Sequence, residues 1–228
     1  MIAHKGEFNL GLGMMAGFIA VFIFFWTPSF QGHNLLNFMD GLYNSISKNS
    51  AYYIPQTQKK VDEFKGKDVS MELKAKSEAA AERLGKMLQV NGMAVDRKGD
   101  TLKVQGDLGA VLTGVLKDAE AMYKNNDQEL NAKYGFAGKQ ATYDWWTGLD
   151  IMAKNLTKHE QFKESKIVQN VMTKAVEPAY NYFGIQGQNI KDKWLLVTVS
   201  LVGYVIYTLW FGFAILFMFE GWGLKLEH

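Results

Sequence analysis

Hydrophobic residues are concentrated in two long windows of the chain, and between these windows they alternate with polar residues. The first window, residues 10–30, and the second, residues 194–219, contain no charged side chain. At about 1.5 Å per residue, a helix over either window is long enough to cross about 30 Å of hydrocarbon. We therefore predict a transmembrane helix over each window, with short tails at residues 1–9 and 220–228.

The first window is also compatible with a cleaved signal peptide. The apolar core of a signal peptide is only about 7 to 15 residues long, and it precedes a cleavage site made of small residues. Here the run is longer and ends in the bulky sequence FIFFWTPSF. We expect an uncleaved anchor that bends or ends near Pro28, because proline disfavours helical geometry in the preceding residue.

Residues 31–193 contain most of the charged side chains and are predicted to form a soluble, mostly helical domain. Apolar residues recur there at steps of three and four, which is the period of one face of a helix. Asp107 suits the N-cap of the clearest of these helices, and Asp68 or Ser70 suits that of another. The predicted helices cover about residues 34–47, 61–64, 68–89, 108–123, 145–156 and 162–183, the last kinked or shortened by Pro178.

Residues 93–105 have a different pattern, which predicts a two-stranded β-hairpin. Thr101–Gln105 alternate polar and apolar side chains, and the turn-forming sequence Arg97–Asp100 precedes them. The predicted fold class is thus a mainly α membrane protein, in which two transmembrane helices flank a helical bundle that carries a small hairpin.

This outline resembles, at the level of the fold, the four-helix ligand-sensing modules that lie between two membrane helices in bacterial receptors. The resemblance implies a ligand-binding or sensory function. A tail of residues 220–228 has no room for a signalling output domain, so any signal is expected to pass to a separate partner.

Small residues in the two windows mark places where another backbone could approach closely. Gly13 and Gly17 form a GxxxG pair, which is a common contact between membrane helices. Ser200, Gly203 and Gly212 mark similar positions in the second window. We predict helix packing at these five residues. The alternative is that they only reflect how common glycine is in membrane helices.

Charge and cysteine content exclude several functions. The chain has 25 Lys and Arg against 23 Asp and Glu, a net charge of +2, with the two signs interspersed. Nucleic-acid binding needs a concentrated basic face, so no nucleic-acid partner is expected. The chain has no cysteine, which excludes disulfides, thiolate catalysis and cysteine-ligated metal sites.

The four histidines do not predict a metal site, because no two of them are three or four residues apart. His33 follows the first window and is a candidate ligand for a haem or quinone of a neighbouring subunit. The alternative is an interfacial histidine that faces headgroups or water. We expect this chain alone to bind no cofactor and no metal.

Three aromatic residues are candidates for a binding surface on the central domain. Tyr143, Trp145 and Trp146 could together receive a cationic or ring-bearing ligand. Adjacent helical positions point in different directions. The alternative is therefore one tryptophan in the core and the other at its edge.

Anchoring features are strong in this sequence, whereas the GxSxG, Walker, HExxH and dinucleotide-binding motifs are missing. We therefore expect no enzyme but a non-catalytic accessory or scaffolding subunit of a larger membrane protein complex. Its partners would be the lipid bilayer, other integral membrane subunits, or further copies of itself. The alternatives are a ligand-binding or sensory module that signals through a separate partner, and a redox subunit that shares a cofactor with its neighbours.

Sidedness is predicted from the residues beside the windows, since two spans place both tails opposite the domain. Basic residues flank the spans at Lys5 and Lys225 on the tails and at Lys48, Lys174, Lys191 and Lys193 on the domain side. This count favours a cytoplasmic domain, but long segments cross membranes largely regardless of their charge. Lys5 before an early apolar run is typical of a signal anchor. We expect cytoplasmic tails and an extracytoplasmic domain at an inner or plasma membrane.

Overall fold

The structure, a computed structural model, describes residues 2–224 and confirms a mainly α chain. It is 70% helical with a small three-stranded sheet. The chain forms two compact units. The terminal unit comprises the residues up to Ile46 and those from Gly187 onward, and the central domain is Ser47–Gln186. The domain boundaries therefore lie inside the predicted range of 31–193.

The α-helices are α1 (Lys5–Trp26), α2 (Leu35–Ser50), α3 (Ile54–Asp62), α4 (Glu78–Val90), α5 (Leu108–Tyr123), α6 (Asp127–Tyr134), α7 (Gly138–Lys158), α8 (Phe162–Val171), α9 (Glu177–Asn181) and α10 (Ile190–Gly221). The strands are β1 (Asp68–Lys74), β2 (Ala94–Lys98) and β3 (Thr101–Asp107). A π-helical turn, Met172–Val176, joins α8 to α9.

Helices α1 and α10, with 22 and 32 residues, are long and apolar enough to cross a membrane. Helix α10 extends beyond its predicted window at both ends, and α1 extends beyond its window at the start, because a loss of hydropathy does not by itself end a helix. At its other end α1 stops four residues before the end of the window. α1 thus begins at Lys5, with Glu7 in its first turn, where an acidic group is favourable. It ends at Trp26, near Pro28 as predicted. Residues 225–228 of the predicted C-terminal tail lie outside the described residues.

A tight turn follows α1 and positions His33. The backbones of Phe30 and His33 exchange two hydrogen bonds of 3.0 Å. Gln31 and Gly32 between them have φ angles of 52° and 80°, as a type I′ turn requires. The Asn34 side chain then accepts a hydrogen bond from the first turn of α2.

Residues 68–74 form strand β1, where the sequence predicted the start of a helix. Val69, Met71 and Leu73 are buried in alternation, and β1 pairs antiparallel with β3. The predicted hairpin is therefore part of a three-stranded sheet in the order β1-β3-β2. The predicted helix caps at Asp68 and Ser70 are wrong, since apolar spacing of two suits a paired strand. The cap is Ser77, which accepts from the Ala80 N–H.

Two further segments differ from the predictions. The segment 49–67 contains α3, where the prediction was a shorter helical piece at residues 61–64. Pro55 lies in the first turn of α3, where its missing N–H costs no helical hydrogen bond. Helix α6 was not predicted; it ends at Tyr134 and is capped by Gly135, whose φ of 81° lies in the left-handed region.

The helices predicted over residues 108–123 and 145–156 are present, the second as part of a longer helix. α5 follows Asp107, whose carboxylate accepts from the Ala110 N–H at 3.1 Å, and α7 carries the tryptophan pair. The helix predicted over 162–183 is divided, because Pro178 has no N–H for the carbonyl of Lys174. The π-helical turn just before Pro178 accommodates this missing bond.

Helix α5 forms the centre of the core of the central domain. It contacts α3, α6, α7, α8, α9 and β3. Its apolar face is almost completely buried at Leu112, Val115 and Leu116. Complete burial of one such side chain contributes about 1.5–3 kcal/mol, so this helix stabilises the domain and fixes the positions of the polar groups that it carries.

Candidate functional site

Helices α1 and α10 are antiparallel neighbours whose backbones meet at two glycines. A Cβ atom on Gly11 would lie 2.7 Å from the backbone N of Met218, and one on Gly221 would lie 2.5 Å from that of Phe8. Side chains do not approach a backbone so closely, so both positions require glycine. This contact holds the two apolar helices together as an antiparallel pair within the terminal unit.

Aromatic side chains fill the remainder of this helix contact. Phe18 stacks on Tyr207 with ring centroids 4.2 Å apart, and Phe25 lies 5.4 Å from the same ring. Trp210 donates its indole N–H to the carbonyl of Met14 at 3.0 Å. In an apolar environment this N–H has few other partners, so the bond favours one register of the two helices.

The glycines predicted to pack helices take two kinds of position. A Cβ on Gly17 would lie 3.0 Å from the Trp210 ring, so Gly17 belongs to the contact between α1 and α10. In the part of the chain that the structure describes, a Cβ built on Gly13, Gly203 or Gly212 would have no atom within 4 Å apart from its chain neighbours and the backbone of its own helix. Sequence reasoning missed Gly11, which no local pattern distinguishes from Gly13.

An apolar groove of about 630 Å³ lies between α1, the first half of α2 and α10. Its lining includes Phe22, Trp26, Leu36, Met39, Val199 and Tyr204. The Tyr43 hydroxyl donates to Ser200 Oγ at 2.8 Å, since the Ser200 hydroxyl itself donates to the carbonyl of Val197. The predicted packing residue Ser200 therefore bonds α2 to α10.

A second cavity of about 570 Å³, here called the polar pocket, contains His33. It is lined by Gln31, His33, Asn37, Asp40, Gln188 and Lys193, with four less polar residues. Asp40 and Lys193 carry opposite charges, and neither forms an ion pair with another described residue. Oε1 of Gln188 is buried without a hydrogen-bond partner among residues 2–224. A haem or quinone beside His33 stays a prediction.

The structure places the predicted aromatic surface residues in two environments. Trp145 is 1% exposed and lies in the core, so its prediction as a surface residue is corrected. Trp146 and Tyr143 are 36% and 41% exposed. Helix geometry explains why Trp145 is buried and Trp146 is exposed, because adjacent side chains on a helix point about 100° apart. Lys76 Nζ lies 5.9 Å from the Tyr143 ring centroid, beside a pocket of about 200 Å³.

Trp145 belongs to a buried polar cluster around Asp118, which sequence reasoning missed. Asp118 is 4% exposed and accepts hydrogen bonds from Trp145 Nε1 at 2.8 Å, Lys133 Nζ at 2.7 Å and the Tyr134 hydroxyl. Asn91 Nδ2 donates to the same hydroxyl at 2.8 Å. Burial above all, together with the Asp118 charge, raises the pKa of Tyr134. The cluster joins α4, α5, α6 and α7, and each of these polar groups has a partner.

Lys48 is a second buried polar residue of the central domain. Its ammonium, in a side chain only 4% exposed, donates to Oδ1 of Asn125 at 3.1 Å and to the carbonyls of Tyr182 and Ile185 at 3.2 and 2.6 Å. It also lies 5.1 Å from the Tyr123 ring centroid. Burial lowers the pKa of Lys48 and raises that of Tyr123 to about 12. Lys48 thus joins the last turn of α2 to the segment that follows α9.

Among the described residues, neither buried cluster contributes a side chain to the three cavities above, and both clusters join helices of the domain to one another. Within residues 2–224, no three His, Asp or Glu side chains are placed to hold a metal ion. Comparisons of this chain with protein-family models, with curated proteins and with solved structures found no match.

Proposed function

We propose that this chain is a non-catalytic accessory or scaffolding subunit of a larger membrane protein complex. In this proposal α1 and α10 span the bilayer, and their free faces bind helices of other subunits. The central domain projects into the extracytoplasmic space, where it supports or docks the soluble parts of the complex.

Exposure of apolar side chains on α1 and α10 supports the membrane location. Only 6% of the apolar window of each helix is buried, and large side chains such as Ile23, Leu195 and Tyr204 are more than half exposed. Soluble proteins rarely expose contiguous apolar surface beyond a few hundred Å². Hydrocarbon is the solvent that suits such a surface, and the helices satisfy their own backbone hydrogen bonds.

The observation that carries the scaffold proposal is the open space at Gly13 of α1, in a cavity that Met14 and Trp210 also line. Gly11 meets α10 on one side of the helix, whereas Gly13, two residues on, has open space around it. Small residues let helix backbones approach, and close approach drives helix association in membranes. Gly13 is therefore a position at which a helix of another subunit can pack.

The test is purification of the protein from its native membrane in mild detergent, followed by mass spectrometry of the proteins that co-migrate with it. We expect stoichiometric integral membrane partners. Gly13→Phe should reduce their recovery about tenfold, which corresponds to about 1.4 kcal/mol of lost association energy. The matched control is Leu12→Phe, which places the same ring on the adjacent, half-exposed position.

Either of two results would overturn the scaffold proposal. The first is a protein that migrates alone or only as a homo-oligomer. The second is equal recovery of partners with both variants, which would show that the surface at Gly13 does not bind them. Saturable binding of a small molecule by a protein without partners would instead favour a sensory module.

A further inference from the structure

The polar pocket and the apolar groove together have the chemistry of a phospholipid site. Lys193 and Leu196 line the polar pocket, and Ser200 and Gly203 line the groove. Because these residues are three or four apart, they lie on one face of α10. This face of α10 therefore presents a charged group at its start and less polar groups further along it.

We propose that this surface binds one phospholipid of the bilayer, with a headgroup that carries a phosphate and a primary ammonium. Lys193 donates hydrogen bonds to the phosphate, and Asp40 accepts hydrogen bonds from the ammonium of the headgroup. An acyl chain of the same lipid occupies the groove beside Val199. The inference depends on the membrane location proposed above, but not on the existence of protein partners.

The charges of the polar pocket favour this headgroup over other headgroups. Asp40 and Lys193 have no ion-pair partner among the described residues, so both are free to bind a zwitterion. Hydrogen bonds that involve charged groups are stronger than those between neutral groups. A quaternary ammonium has no N–H to donate to Asp40, and a glycerol headgroup has no positive charge. Oε1 of Gln188 adds a buried acceptor without a partner in residues 2–224.

The size and surroundings of the two cavities also suit a lipid. Their volumes of about 570 and 630 Å³ fall in the range of about 300–1,000 Å³ that is usual for small-molecule sites. Trp26 lines the groove, and Trp194 follows Lys193 directly. Tryptophan is enriched where hydrocarbon meets headgroups, so both cavities lie at the depth of a lipid headgroup and its first carbons.

The experiment is native mass spectrometry of the full chain in detergent, mixed with equal amounts of phosphatidylethanolamine, phosphatidylcholine and phosphatidylglycerol that have identical acyl chains. We expect the phosphatidylethanolamine adduct to predominate. Asp40→Asn and Lys193→Gln should each reduce this adduct about tenfold, because each removes one charged hydrogen-bond partner. Asp192→Asn and Lys191→Gln are matched controls from outside the pocket and should leave the adduct unchanged.

Equal adducts of the three lipids would overturn the lipid proposal, as would a phosphatidylglycerol preference or equal effects of the pocket variants and their controls. If the protein also failed to fractionate with membranes, the proposed function would fail with it. If it remained in the membrane with its partners, only the lipid site would be rejected.

Discussion

At the scale of single residues, the buried polar groups of the central domain depend on one another for their hydrogen bonds. Asp118 accepts from Trp145, Lys133 and Tyr134. An uncompensated buried charge is far more costly than an apolar replacement of the whole group. Changing one member of the cluster should therefore leave its partners unsatisfied.

Asp118→Asn is expected to lower the free energy of unfolding by about 3–5 kcal/mol. The amide keeps one acceptor atom but turns an NH2 group toward donors, and it leaves the Lys133 ammonium without a counter-charge. Thermal unfolding of the full chain in detergent, followed by near-ultraviolet circular dichroism, measures the change. Asp150→Asn, which breaks an exposed pair with Lys154, should cost about 1 kcal/mol or less.

Lys48→Met is expected to lower the free energy of unfolding by about 1–3 kcal/mol, because the carbonyls of Tyr182 and Ile185 lose a buried donor. The same unfolding measurement applies. Lys166→Met, at an exposed position on α8, should change the free energy by about 0.5 kcal/mol or less. An unchanged or raised stability of the Lys48 variant would mean that desolvation of the ammonium outweighs its three hydrogen bonds.

Sequence signals for these two residues differ in strength. Asp118 lies three residues after Val115 and four before Met122, so helical periodicity alone places a carboxylate on the apolar face of α5. The acceptors of Lys48 are distant in the chain, at Asn125, Tyr182 and Ile185. No local pattern indicates them.

At the scale of elements, the start of α5 depends on the Asp107 carboxylate. It accepts hydrogen bonds from the backbone N–H groups of Gly66 at 2.8 Å and Ala110 at 3.1 Å. These bonds, that from Gly66 foremost, lower the pKa of Asp107 below its ordinary value of 3.8. Since the pKa is lower in the folded state, the stabilisation is complete above pH 3.8 and is lost as the pH falls through the folded-state pKa.

Asp107→Ala should lower the free energy of unfolding at pH 7 by about 0.5–2 kcal/mol. The difference between the protein and this variant should shrink as the pH falls below 3.8, because the Asp107 carboxyl of the unfolded parent then binds a proton that the folded cap binds only at a lower pH. Unfolding followed by far-ultraviolet circular dichroism at pH 7 and pH 3 tests both statements. Asp96→Ala, on exposed strand β2, is the control; a difference that stayed constant with pH would contradict the ionic cap.

Strand β1 shows where local pattern fails at this scale. Val69, Met71 and Leu73 alternate over only seven residues, and the helical residues of α4 follow after Ser77. A short apolar run is compatible with either structure. Residues 68–74 form a strand because their backbone N–H and C=O groups form hydrogen bonds with those of β3.

At the scale of the whole molecule, the proposed topology can be tested cleanly because the chain has no cysteine. A cysteine at Lys163, exposed on α8 of the central domain, should react in intact cells with a membrane-impermeant maleimide. A cysteine at Glu7, exposed in the first turn of α1, should react only after lysis. The opposite labelling pattern would place the domain in the cytoplasm and reverse the proposed sidedness.

The sequence by itself determined the two long apolar helices, the Asp107 cap of α5 and the turn between β2 and β3. Each of these depends on residues close together in the chain, so its signal is local. Tertiary structure alone decided that Gly11 and not Gly13 contacts α10, that residues 68–74 join a sheet, and that Lys48 is buried. These outcomes depend on groups far away in the chain, whose proximity arises only when the chain folds.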